Sequence, residues 1–177
     1  AVGTPVATDT NLKEKNCRPD WAGGSDLGDN EFVGVSESTT LKLGRAKARA
    51  DALQQIAQHI NNDIQTLVSE TANSLAGQDI INFKSSFEMS ADVAVKFAKD
   101  KRYSECPTNR DGLREYYVLM VHDVQKEIDH YNALLEAHKK KEEYKQADAE
   151  HKAQIEEMRD YFDKKATAAE DSSDSSE

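Results

Sequence analysis

The chain has 177 residues, a formal net charge of −10 and 37% hydrophobic residues. With a mean hydropathy of −0.79, that allows one core of moderate size plus solvated helix or tail. Residues 125–177 hold 9 Lys and Arg against 15 Asp and Glu, a balance that argues against nucleic-acid binding, where a basic face must replace phosphate counterions. No run of 18 apolar residues exists, which excludes a bilayer-spanning helix.

Residues 1–30 carry Pro, Gly, Asp and Asn without a period and read as an arm, with Trp21 as its docking point. The start, Ala1-Val2-Gly3-Thr4, reads as a chain whose leader has been removed. Cys17 follows Lys13-Glu14-Lys15-Asn16, which is charged where a lipidation signal needs small apolar residues. The two cysteines, Cys17 and Cys106, each lie close to a proline in a loop-like context. A bridge between them would tie the arm to a hairpin tip in an oxidising compartment, and two unpaired thiols are the other reading.

Phe32 to Ser36 reads as a strand in which Gly34 permits close approach by the next helix. Ser38, Thr39 and Thr40 offer N-caps for that helix. It is expected to run to about Ala76 and end at Gly77, with a stripe of Leu53, Ile56, Ala57, Ile60, Ile64, Leu67 and Val68 stepping by three and four. Arg45, Ala46, Ala48, Arg49, Ala50 and Ala52 suggest a small-residue face near its start.

From Ile81 to Phe97, apolar residues fall at odd positions and mostly polar ones at even positions. Period two predicts a half-buried strand, bulged or broken near Ser90. A helical reading through Ile80, Phe83, Phe87, Ala91 and Ala94 is the alternative. Tyr103 to Cys106 continues extended, and Pro107 to Gly112 is a turn. Leu113 to Val124 is apolar on both faces and should be a central strand covered on two sides.

Helical periodicity returns at Gln125 in two stripes. Ile128, Tyr131, Leu135 and His138 form one, and Tyr144, Ala147, His151, Ile155, Met158 and Phe162 the other. They are out of register across Lys139 to Glu143, where a bend or a break is expected. Residues 170–177 are acidic, serine-rich and expected to be disordered. The chain is thus divided into an arm at 1–30, an α+β module at 31–124, a helical extension at 125–169 and the tail.

Pro19-Asp20-Trp21, Glu31-Phe32-Val33-Gly34-Val35-Ser36-Glu37-Ser38, Ala46-Lys47-Ala48-Arg49-Ala50-Asp51-Ala52-Leu53 and Tyr116-Tyr117-Val118-Leu119-Met120 come in that order. In this the chain resembles the lipoprotein-20 type of bacterial envelope protein, a group similar to the N-terminal module of flagellar assembly protein T and to flagellar protein P. The resemblance covers residues 19 to about 124. It departs where Ser36 stands in place of a second glycine, and at Phe97-Ala98-Lys99-Asp100, where a Leu-Gly step is usual. It implies a dodecin-like β-α-β-β fold, a curved antiparallel sheet around one long helix. It also implies an outer-membrane-associated or periplasmic protein with no catalytic residues to carry over.

No catalytic, cofactor or metal site is read from the residues themselves. His59, His122, His130, His138 and His151 never pair at i, i+4, and a zinc site needs three or four convergent ligands. Carboxylate pairs such as Glu142/Glu143 and Glu156/Glu157 lie among lysines, unlike the buried pair a glycosidase requires. Two stretches remain as interaction surfaces. Arg45, Lys47 and Arg49, with Lys42, either meet an anionic partner or cover a solvent face paired to Glu37 or Asp51. Tyr144, Ile155, Met158 and Phe162 either pack back on the sheet or bind another copy or protein.

The expected function is therefore a non-enzymatic envelope protein that assembles with itself or with other envelope proteins, with peripheral or lipid-anchored membrane association open to it. A pocket for a small or lipidic ligand between helix and sheet, lined by Phe83, Phe87, Met89 or Tyr117, is the alternative. The scaffold reading leans on the alternation at 81–97 and on the long amphipathic helix.

Overall fold

A computed structural model describes residues 7–8, 17–71, 85–108, 110–146 and 149–173. The fold is α+β, with a three-stranded antiparallel sheet and several helices. The described residues divide into two compact units, one from 1–58 and 90–123, the other from 59–89 and 124–177. The sequence division at 31–124 and 125–169 is thus drawn differently from these two units, each of which takes two separate stretches of chain.

In the first unit the elements are β1 (Ala7–Thr8), β2 (Glu31–Ser38), the opening part of α1 (Leu41–Thr71), α2 (Ala91–Ala94), β3 (Ala98–Pro107) and β4 (Arg114–His122). The sheet order is β1-β3-β4-β2, with β4 antiparallel to both long neighbours and β1 adding two parallel residues to β3. Central placement buries β4 on both faces from Tyr116 to Met120, as its apolar sequence requires. Tyr117 and Leu119 face a cluster with Trp21, Ala22 and Cys106. Tyr116 faces α1, so close to Gly44 that a Cβ there would lie 2.1 Å from its ring.

The strand expected over 81–97 is not formed in its described part. Residues 80–84 lie outside the described residues, Ser85 to Phe87 make a helical turn, and α2 is followed by a 3-10 turn over Val95–Phe97. Local capping overrides the alternation. Ser90 Oγ accepts from the Val93 amide at 3.3 Å and Asp92 sits in the first turn of α2, a helix start that a strand cannot use. Of the residues in the helical alternative, Phe87 and Ala94 are buried and Ala91 is half-buried, while Ile80 and Phe83 lie outside the described residues. Phe97, at the end of the 3-10 turn, is buried as well. The strand itself begins at Ala98, in a polar stretch with Lys99, Lys101 and Arg102 exposed. Such residues suit a strand next to the edge, where charge discourages further pairing. The register shifts between Asp100 and Arg102, leaving Lys101 as a bulge.

In the second unit, α1 continues to Thr71, and its expected end at Ala76 and Gly77 lies outside the described residues. Then come α3 (Val124–Lys139), α4 (Glu142–Gln146) and α5 (Ala149–Ser173), so the chain breaks where the two stripes lose register. α3 and α5 run antiparallel, because their partners descend in step: Glu127 with Lys165, Tyr131 with Phe162, Glu136 with Arg159, Lys139 with Glu156. Tyr131 is stacked between Phe87 and Phe162, with ring centroids 5.4 and 5.2 Å away and planes within 12°. Asn61 on α1 holds Met89 through both amide atoms, donating to its carbonyl and accepting from its amide at 2.6 Å each. α5 extends through Glu170 and Asp171 to Ser173, so the disorder expected from residue 170 does not apply there, and 174–177 lie outside the described residues.

Candidate interaction surface

The join between β2 and α1 is built from backbone contact. Thr40 caps the helix: its carbonyl accepts from the Gly44 amide at 2.9 Å, while Ser38 Oγ accepts from the Thr40 amide at 3.2 Å. Gly34 then lies directly under α1, where a Cβ would come within 1.7 Å of the Ala48 carbonyl oxygen and 2.6 Å of the Ala52 nitrogen. The small face that makes this possible is Gly44, Ala48 and Ala52, all buried, one turn apart. Ala46 and Ala50, expected on that face, are exposed, because residues two positions off the contact line point away from the sheet.

Side chains of α1 also reach the free edge of β2. Asp51 Oδ2 accepts from the Val35 amide at 3.0 Å, Gln55 Nε2 donates to the Val33 carbonyl at 2.8 Å, and Gln55 donates to Asp51 at 3.2 Å. Ser36 Oγ donates to the Gly44 carbonyl at 2.6 Å. The segment expected to carry basic residues for a partner thus carries the helix-to-strand joint as well.

The basic residues themselves divide. Arg49 Nε donates to Asp100 at 2.9 Å, and the Arg45 guanidinium lies 4.8 Å over the Tyr103 ring. Both are anchored to β3. Neither Glu37 nor Asp51 pairs with them, since Glu37 accepts two bonds from Arg110 at 3.0 and 3.1 Å and Asp51 serves the β2 edge. Lys42 and Lys47 are exposed.

Beneath the opposite face of the sheet, Cys17 and Cys106 are joined by a disulfide, with Cα atoms 5.5 Å apart. It fastens the arm next to the 3-10 turn over Asp20–Gly23, where Trp21 meets Tyr117 edge-on at 6.5 Å. Arg18 donates to the Ala22 carbonyl at 3.0 Å and closes the turn. Burial pushes the Tyr117 phenol up to about 12, reinforced by the bond it donates to Glu115 at 2.5 Å. The Tyr103 phenol is raised for the same two reasons, with Glu105 as its acceptor. Lys101 pairs with Glu31 and holds that carboxyl below the usual range.

In the second unit the expected surface on α5 is corrected. Ile155, Met158 and Phe162 are fully buried, so they form core against α3 and the Phe87–Tyr131 stack. Their three- and four-residue steps meet the matching steps of Ile128, Tyr131 and Leu135. Tyr144 is half-buried, with the Lys152 ammonium 5.7 Å over its ring and His138 5.7 Å away. The His151 side chain lies outside the described residues.

Of the proposed pocket-lining residues, Phe87 and Met89 are buried in the second unit and Tyr117 in the first, each packed with neighbours of its own unit, and Phe83 lies outside the described residues. Glu127, missed by sequence reading, is a fully buried carboxylate with Lys165 Nζ at 3.3 Å. Its place beside Ile128 on the apolar stripe was the available signal. Among the described residues no three His, Cys, Asp or Glu side chains converge as metal ligands, and no helix is long and apolar enough to cross a membrane. No protein-family model, curated protein or solved structure matches the chain.

Proposed function

We propose that this chain is a non-enzymatic protein of the bacterial cell envelope, periplasmic or outer-membrane-associated. It acts as a structural or assembly module through contacts with itself or with other envelope proteins. The observation that carries this reading is what the segments resembling the lipoprotein-20 type do. Pro19-Asp20-Trp21 builds the turn that seats the arm, and Glu31–Ser38 interlocks with Gly44, Ala48, Asp51 and Gln55 of α1. Residues used this way make a rigid platform.

The dodecin-like description of the first unit belongs to the same proposal and is supported by the order β2-α1-β3-β4. With no strand formed in the described part of 81–97, the scaffold is built on α1 and β4. The disulfide supports an oxidising compartment.

The test is fractionation of the producing cells with alkylation of free thiols before lysis. The protein is expected to sediment with the envelope, with both cysteines unreactive until reduced. Recovery in the cytosol with two reactive thiols overturns the proposal. The bridge closes a sequence separation of 89 residues, so Cys17→Ser is expected to lower unfolding free energy by roughly 4–5 kcal/mol on the loop-entropy account. Urea denaturation with and without reductant measures it, and the single tryptophan reports release from Tyr117.

A further inference from the structure

The opening turn of α1 carries the two most exposed large apolar side chains of the described residues, Leu41 at 57% and Leu43 at 49%. Lys42 stands between them. Side chains on a helix lean toward its N-terminus, so first-turn residues fan out past the end of the rod. Arg45 and Lys47 follow within a turn, both exposed. From Ser38 to Ala50 the sequence contains Lys42, Arg45, Lys47 and Arg49 and no carboxylate, in a chain of net charge −10.

Folding does not account for this choice. Cations near a helix start oppose its dipole, and exposed leucines gain nothing from the core. Arg45 and Arg49 have partners on β3, but Lys42 and Lys47 make no hydrogen bond or ion pair among the described residues. Ser38 pairs with Arg114, which brings the β3–β4 turn to the same end of the sheet. There Glu37 is held by Arg110 and Glu105 by Arg114, which leaves these two carboxylates already engaged.

We infer that the N-terminal end of α1 docks on an anionic phospholipid surface. Leu41 and Leu43 enter the boundary between headgroups and acyl chains while Lys42 and Lys47 lie among the phosphates. Interfacial attachment needs this combination of apolar insertion and cationic attraction. Charge complementarity selects an anionic occupant, since Ser38 to Ala50 carries four cations and no carboxylate, and the exposed Leu41 and Leu43 beside them suit an acyl boundary. The inference goes beyond the assembly reading and does not depend on it.

The experiment is co-sedimentation of the full chain with vesicles of equal parts phosphatidylglycerol and phosphatidylcholine, against phosphatidylcholine alone. Binding is expected only to the first, falling as salt rises. Lys42→Ala with Lys47→Ala is expected to weaken it roughly 25-fold, about fivefold for each cation. Leu41→Ser with Leu43→Ser is expected to weaken it with the urea midpoint unchanged. Amide exchange of residues 41–45 should slow on the anionic vesicles alone, a readout that needs no variant.

Equal sedimentation on both vesicles, no sedimentation, or variants that bind like the parent overturn the inference. So does a lipid-free self-association lost in the same variants, which would make this end a protein interface.

Discussion

Gly34 is the residue on which the first unit turns. No φ constraint demands glycine there; the demand comes from the α1 backbone lying where a side chain would be. Gly34→Ala is expected to cost at least about 3 kcal/mol, the upper range for overpacking, because backbone cannot step aside as a flexible side chain can. Urea denaturation measures it, and a loss below 1 kcal/mol would mean the helix lies farther from β2.

Tyr117 makes a pH prediction. Its phenol is raised above the ordinary value, to about 12, by burial and then by Glu115. A raised acid holds its proton longer in the folded state, so the associated stability is complete below pH 10 and is lost as pH climbs toward 12. The urea midpoint should fall across that window, and Tyr117→Phe should flatten the fall. An unchanged slope in the variant would show that Tyr117 does not titrate late.

Among elements, the pairing of α3 with α5 depends on the aromatic stack. Tyr131 lies between Phe87 and Phe162, and all three are buried. Tyr131→Ala is expected to cost about 3–5 kcal/mol, as for other buried aromatics. Tyr131→Phe keeps the rings and loses only a long bond to the Phe87 carbonyl at 3.5 Å, so a change under about 1 kcal/mol is expected. Thermal melts of both variants separate stacking from hydrogen bonding, and equal losses would place the effect in the hydroxyl.

These elements differ in how far the sequence revealed them. Strand β4 was legible because apolar residues on both faces admit one placement. The break after Lys139 was legible from two stripes out of phase. Strand β3 was legible over Tyr103 to Cys106 but not at its start from Ala98, since the lysines and arginine there resemble loop and the stronger alternation lay just upstream. There a serine cap and an asparagine clamp decide the backbone, and neither leaves a periodic mark. The basic cluster on α1 was legible as charge, while its division into anchored arginines and free-standing lysines needed the positions of Tyr103 and Asp100.

At the scale of the whole molecule, α1 gives residues to both units without a break in its sequence. Gly44, Ala48, Ala52, Ile56, Ile60, Ile64 and Val68 are all buried, one every four residues. The four-residue step runs unchanged past Gln58, and no composition shift marks the boundary there. The residues that Asp51 and Gln55 bind on β2 have a bearing on the chain's behaviour in bulk solution. An outer strand with open rungs recruits strands from other molecules and seeds fibrils. Occupying two rungs with helix side chains removes that template. Asp51→Ala with Gln55→Ala should therefore produce thioflavin-positive aggregates at concentrations where the parent stays clear.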